Sequence, residues 1–281
     1  MTYYHLETVL DNIFAIKSAG GEFVYLILGD ERALLIDTCV GAGHLREFVE
    51  KLTDLPITVA LSHGHVDHAM GAPEFNEVYL NPLDIPLYQK MCDCETRLGY
   101  LQATLGGQVN QDLVDSLLPG EPDYKFLPLS DGQVFDLGGI HVSAHAFPGH
   151  TAGMMAFLVE EKQILITGDA CNNSTFLFDE EASDVETYRN AVNRIRTRLA
   201  GKYDHIFISH HEMEVSVDIM DNMLEVCDAI LSGKADDLPY HFMGKTAYIA
   251  KSCDDHFHRA DGKDGNLIYN KAKIKAQEVS A

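Results

Sequence analysis

The chain has 281 residues, is 46% hydrophobic and carries a formal net charge of −22. That length and apolar content suffice for one sizeable buried core. The acidic balance argues against nucleic acid or an anionic membrane surface as partner, because phosphate binding needs clustered Lys and Arg.

The N-terminal stretch MTYYHLETVLDNIFAIKS carries acids and lacks a basic start followed by an apolar run, so it does not read as a signal peptide. Apolar runs such as FVYLIL are too short to span a bilayer, and a cytoplasmic location is the expectation. The segments NIFAIKS, FVYLILG and RALLIDT are rich in branched and aromatic residues and are separated by Gly and acidic turns, which predicts strands. In AGHLREFVEKLTD the apolar residues Leu45, Phe48, Val49 and Leu52 follow helical spacing. PITVALS is then a short buried strand.

Residues 82–118 alternate helical patterns with Gly-rich breaks, and Tyr88, Met91, Tyr100 and Leu101 fall at near-helical spacing, as core residues do. Strands return with QVFDL, IHVSAHAF, MMAFLVE and QILITGD. SDVETYRNAVNRIRTRLAG predicts an amphipathic helix opened by a Ser183/Glu186 capping box and closed at Gly201. DHIFISHH is a further strand, and VSVDIMDNMLEVCDAILSGK a further helix ending at Gly233. The last 48 residues are weakly patterned, with strands expected at TAYIAK and NLIYN. Strand clusters followed by helices occur twice, which suggests two packed sheets with helices outside.

Six cysteines, at positions 39, 92, 94, 171, 227 and 253, sit in a long chain with no export signal, so a disulfide framework is not expected. Cys92 and Cys94 are one residue closer than a zinc knuckle requires.

The chemistry concentrates in SHGHVDHAMG, residues 62–71, directly after a predicted strand. Alternate side chains of an extended backbone point the same way, so His63 and His65 can converge on one ion. Asp67 and His68 begin the following turn and can address a second. Three further pieces lie at or just beyond strand ends: His150 in AFPGHTAG, Asp169 in ILITGDA, and His210 with His211 in IFISHHE.

With these residues the sequence resembles the metallo-β-lactamase superfamily, over roughly residues 8–232 and on its specific H-x-H-x-D-H motif. The resemblance implies an α/β fold, a four-layer αββα sandwich, formed here by a single domain over 1–281. Residues 80–130 would be a pocket-shaping insertion and residues 233–281 a C-terminal extension. It implies that His63, His65 and His150 bind one metal, that Asp67, His68 and His210 bind a second, and that Asp169 bridges both. Two Zn²⁺ suit these ligands, with Fe or Mn also possible.

Such a site generates metal-bound hydroxide near neutral pH, oriented by Asp67 and Asp169, so no protein nucleophile is needed. Position 65 is His where the oxygen-reducing diiron branch usually has Glu, which points to hydrolysis. Ser62 and AMG depart from the glyoxalase II-like pattern. The expected substrate is a small molecule: a lactone, ester, thioester or amide. The alternative is a sulfur dioxygenase-type oxidoreductase with one iron held by His63, His65 or His150 with Asp169. Asn172, Asn173 and Phe176 follow Asp169 closely enough to touch substrate. His256 and His258 permit a further metal by their spacing, but a solvated loop is expected there. His211 remains open as the last ligand if the register shifts by one. The oligomeric state is not legible.

Overall fold

A computed structural model describes residues 3–242 and 244–275. A first sheet holds seven strands in sequence order: β1 (Tyr4–Leu10), β2 (Ile13–Ser18), β3 (Phe23–Leu28), β4 (Ala33–Ile36), β5 (Ile57–Ala60), β6 (Val78–Leu80) and β7 (Leu127–Pro128). A second holds β8 (Val134–Asp136), β9 (His141–Ala146), β10 (Met155–Val159), β11 (Ile164–Ile166), β13 (His205–Phe207) and β14 (Glu214–Val215), ordered β14-β13-β11-β10-β9-β8. A third sheet, ordered β12-β17-β16-β15, combines β12 (Thr175–Leu177) with β15 (Leu238–Phe242), β16 (Lys245–Ile249) and β17 (Leu267–Tyr269).

The alternation of side chains along each strand sorts the core into layers. From β2 and β3, Ile13, Ala15, Tyr25 and Ile27 face Met155, Phe157, Ile166 and Phe207 of the second sheet. The intervening Ile16, Val24 and Leu26 turn outward to helices α1 (Leu45–Val49), α2 (Ile85–Met91) and α3 (Cys94–Leu105). A short α4 (Gln111–Asp115) follows, and its Leu113 packs on the same cluster. On the far side, Ala156, Leu158, Leu165 and Ile206 pack against α5 (Val185–Arg198) and α6 (Ile219–Leu231). Both faces of each main sheet are therefore buried, and the layers run αββα, as a strand-rich chain with amphipathic helices demands.

Local predictions need correction at several elements. α5 begins one residue later than the proposed capping box. Asp184 is its N-cap and accepts from the Thr187 backbone N–H and hydroxyl, both at 2.8 Å. Asp caps as well as Ser, and this start seats Val185 in the core. α1 spans only Leu45–Val49 of the longer predicted helix. β1 and β15 were not foreseen: β1 is exposed over most of its length, and β15 carries Pro239, so neither shows a clean buried pattern. Among the described residues no helix is long and apolar enough to cross a membrane.

Candidate metal centre

Four strand ends converge at one edge of the sandwich. The loop after β5 carries His63, His65, Asp67 and His68; the loop after β9 carries His150; the turn after β11 carries Asp169; and the chain leaving β13 carries His210. Placing the ligand-bearing turns at the ends of hydrogen-bonded strands fixes their backbones before any side chain is considered.

The side chains form three overlapping groups whose donor atoms lie within 4.8 Å of one another: His63, His65 and His150; His63, His68 and Asp169; and Asp67, His68 and His210. Asp169 Oδ2 links them, at 3.7 Å from His150 Nε2, 3.4 Å from His68 Nε2 and 3.2 Å from His210 Nε2. His65 Nδ1 lies 2.9 Å from His150 Nε2, and His68 Nε2 lies 3.2 Å from His210 Nε2. His63 has no exposed surface, and its Nε2 has no hydrogen-bond partner. A buried imidazole nitrogen left bare costs free energy unless a cation or donor takes its lone pair. Together with nitrogen and carboxylate donors on every side, that atom fits a metal.

The outward ring nitrogens are held as metal-ligating histidines require. Asp37, at the end of β4, lies 2.8 Å from His68 Nδ1 and accepts from the Ser62 N–H and hydroxyl at 2.7 Å each. Ser62 Oγ lies 2.9 Å from His63 Nδ1, and His150 Nδ1 donates to the Phe176 carbonyl at 2.7 Å. Asp84 is buried and accepts from Gly64 N–H (3.0 Å), Thr151 Oγ1 (2.6 Å) and Gly153 N–H (2.6 Å). It thereby ties the loop of His63 to the loop of His150. Both glycines are needed for close approach: a Cβ on Gly64 would sit 2.6 Å from the Asp84 carbonyl oxygen, and one on Gly153 2.6 Å from the Asp84 carboxylate. Asp67 Oδ2 accepts from Tyr100 at 3.1 Å, and the same hydroxyl bonds buried Glu22.

Burial alone would push His68 and His210 down. The Asp67 and Asp169 carboxylates outweigh it, raising His68 well above the ordinary range and His210 to about 9. Burial raises both carboxyls, but those two imidazoliums win and hold Asp67 low and Asp169 well below the usual carboxylate range. His63 and His150 go down, first through burial and then through neighbouring histidines.

In the metal-free protein protonated imidazole beside Asp67 and Asp169 thus stands in for the cationic charge. Proton must leave there when metal binds. Calorimetric titration with Zn²⁺ at pH 7.5, in two buffers of different ionisation enthalpy, is expected to show net proton release; heats independent of the buffer would refute it. The signs for folding follow. His210, raised from 6.5 to about 9, contributes stability that is full below 6.5 and fades as pH rises through 9. His63 and His150, lowered, cost stability as pH falls below 6.5. Metal-free protein should therefore melt highest near pH 6.5.

Of the residues expected near substrate, Asn172 and Phe176 line the pocket in front of the cluster. Asn172 also donates to Asp169 Oδ1 at 3.3 Å. Asn173 does not line it: its side chain accepts from Gly265 N–H at 2.7 Å and ties down the C-terminal segment. His211 lies outside the three donor groups but lines the same pocket, on a left-handed backbone (φ 66°), with its Nε2 3.0 Å from Ser174 Oγ. His258 bonds Asp254 and Glu212 at the exposed surface. All six cysteines are free. Asp37, Asp84 and Tyr100 were missed as supports. Asp37 shows the signal that marked Asp169, an acid at the end of an apolar strand.

This layering, with His and Asp side chains gathered where strand ends meet, defines an αββα fold with a candidate metal site at one edge. The chain belongs to the metallo-beta-lactamase superfamily, whose profile matches residues 18–210. Among curated relatives it is 32% identical over 143 residues to an uncharacterized protein of Mycobacterium bovis, covering 49% of this chain and 61% of that one. It is 28% identical over 153 residues to an atrochrysone carboxyl ACP thioesterase of Paecilomyces divaricatus (53% and 39% covered). To a probable metallo-hydrolase of Bacillus subtilis it is 25% identical over 150 residues (52% and 64%). The chain thus spans less than two thirds of the length of these relatives. Its fold is similar to that of a metallo-beta-lactamase from Pontibacter korlensis, with TM-score 0.58 and 16% identity over 79% of this chain and 97% of that one.

Proposed function

We propose that the chain is a hydrolase that uses two divalent metal ions, best matched by Zn²⁺, to cleave a small carbonyl substrate: a lactone, ester, thioester or amide. His63, His65 and His150 would hold one ion, Asp67, His68 and His210 the other, and Asp169 both. The observation that carries this reading is the continuity of the three donor groups through Asp169 Oδ2 around the bare, buried Nε2 of His63. Bound metal would supply Lewis acidity at the carbonyl and bring the pKa of water toward neutrality.

The chain's own residues do the rest. Tyr100 and Asn172 each hold one oxygen of Asp67 and Asp169 through hydrogen bonds, which fixes the carboxylate planes. Asp67 and Asp169 would orient the attacking water and take up its proton. Similarity to a thioesterase and to a probable metallo-hydrolase supports hydrolysis, and the net charge of −22 supports a small-molecule substrate over nucleic acid. Residues 80–130 would be a pocket-shaping insertion and residues 233–281 a C-terminal extension of a single domain, from which Tyr240, Phe242, Lys245 and Phe257 line the pocket.

The test is metal content together with turnover on lactone, ester, thioester and amide panels. Two ions per chain are expected, falling to one in His210→Ala and staying at two in His211→Ala. Loss of the second ion only in His211→Ala would overturn the ligand set. One iron per chain with oxygen uptake would favour the mononuclear redox alternative.

A further inference from the structure

The pocket in front of the cluster has a volume of about 510 Å³, within the range of sites for small ligands and far below what a folded partner needs. Its floor is polar, with His65, Asp67, His150, Asp169 and His210. One wall is aromatic, and most of it comes from beyond residue 210. Phe176 of β12 contacts Phe178 and Phe242 with ring centroids 5.0 and 5.3 Å apart. Tyr240 lies 6.1 Å from Phe176 and 6.0 Å from Phe257, in edge-on arrangements. All but Phe178 are only half-buried, so their free faces and edges look into the cavity.

The wall is tied to the metal-cluster side at two points. His150 Nδ1 donates to the carbonyl of Phe176, so ring and ligand share one hydrogen bond. Phe257 packs on His211 with centroids 5.0 Å apart. Both residues have left-handed backbones, φ 64° and φ 66°, a conformation that a residue bearing a β-carbon adopts against a steric penalty. The loop holding Phe257 there is pinned by the Cys253–Arg259 bridge, by Asp254 accepting the His256 and His258 N–H groups at 2.9 Å each, and by buried Arg259 donating to the Gly265 carbonyl at 2.8 Å. A bland loop has no need to hold a phenylalanine in that conformation over the mouth of a site.

Resting on the hydrolase reading, we propose that this wall binds the acyl portion of the substrate, that this portion carries an aromatic ring, and that Tyr240, Phe242 and Phe257 set the preference. Rings already offset and edge-on at 5–6 Å accept one more flat member with the same geometry. The polar floor leaves the carbonyl end at the histidines and carboxylates.

Two readouts test it on full-length Zn²⁺-loaded protein. The first is equilibrium binding of 1-naphthylacetate, octanoate and acetate. The second is kcat/KM for the p-nitrophenyl and thioester derivatives of the same acids. Naphthylacetate and its esters are expected to exceed octanoate and acetate. The naphthyl-to-acetyl ratio should fall by about tenfold or more in Phe242→Ala and in Phe257→Leu, a size common for a lost apolar contact. Metal content and melting temperature verify that each variant is folded and loaded. Octanoyl equal to or better than naphthyl, or a ratio unmoved in both variants, overturns the proposal. If neither these derivatives nor the lactone and amide panels turn over, the hydrolase reading fails; the binding ratios still decide on the aromatic wall.

Discussion

Asp169→Asn is expected to lower metal affinity by more than about a hundredfold, with turnover lost alongside, while the fold survives. Asp169 Oδ2 stands within 3.7 Å of nitrogens from His68, His150 and His210, so it is the one atom common to both proposed ion positions. An amide of the same shape removes a buried negative charge and leaves one acceptor oxygen instead of two. If that oxygen stays with Asn172, a nitrogen donor faces the cluster where metal should sit. The substitution also removes the charge that most raises His210, while Asp67 still raises His68, so the metal-free variant should release fewer protons than the parent. Metal analysis after dialysis, circular dichroism and the two-buffer titration measure all three effects. A variant that retains two ions and full turnover would remove Asp169 from the bridging position.

The layers and the ligand turns were legible in the sequence for a shared reason. Ile13, Ala15, Tyr25 and Ile27 alternate with Ile16, Val24 and Leu26 on strands buried on both faces, so the apolar runs are unbroken and the strand ends sharp. Polar residues immediately beyond those ends then stand out, and His63, Asp169 and His210 are all of that kind. What escaped was set by contacts between distant segments. Asp84 sits in an ordinary-looking NPLD turn, and nothing local shows that it will accept from Gly64, Thr151 and Gly153. Nothing local to Gly64 shows that its missing Cβ admits the Asp84 backbone. Asn173, next to Asn172, turns instead to Gly265, because the third sheet brings the C-terminal segment against β12. That sheet was the least legible part. β15 is exposed and interrupted by Pro239, and β12 lies in a stretch that reads as a polar loop.

Asp84→Ala tests whether the centre is held from outside its ligand set. Asp84 is 1% exposed and faces no Lys or Arg within ion-pair distance among the described residues. Its charge is balanced by three donors, two of them backbone N–H groups in the loops that carry His63, His65 and His150. Alanine strands all three. At about 1–3 kcal/mol for each buried donor left unsatisfied, the expected loss is about 3–9 kcal/mol, which is roughly ten degrees or more in Tm for a chain of this size. The loss should be present in metal-free protein, because the bonds join loop to loop and need no ion. Metal affinity should fall as well, by about 10- to 100-fold, since the two loops can then drift apart. Asp84→Asn separates geometry from charge. Its oxygen can keep Gly64 and Thr151, while its amide nitrogen opposes the Gly153 N–H, so an intermediate loss is expected. Urea unfolding of metal-free parent and variants, with metal competition on the same samples, gives both quantities. Asp84→Ala with parental stability and parental metal retention would show that the two loops hold the histidines without the buried carboxylate.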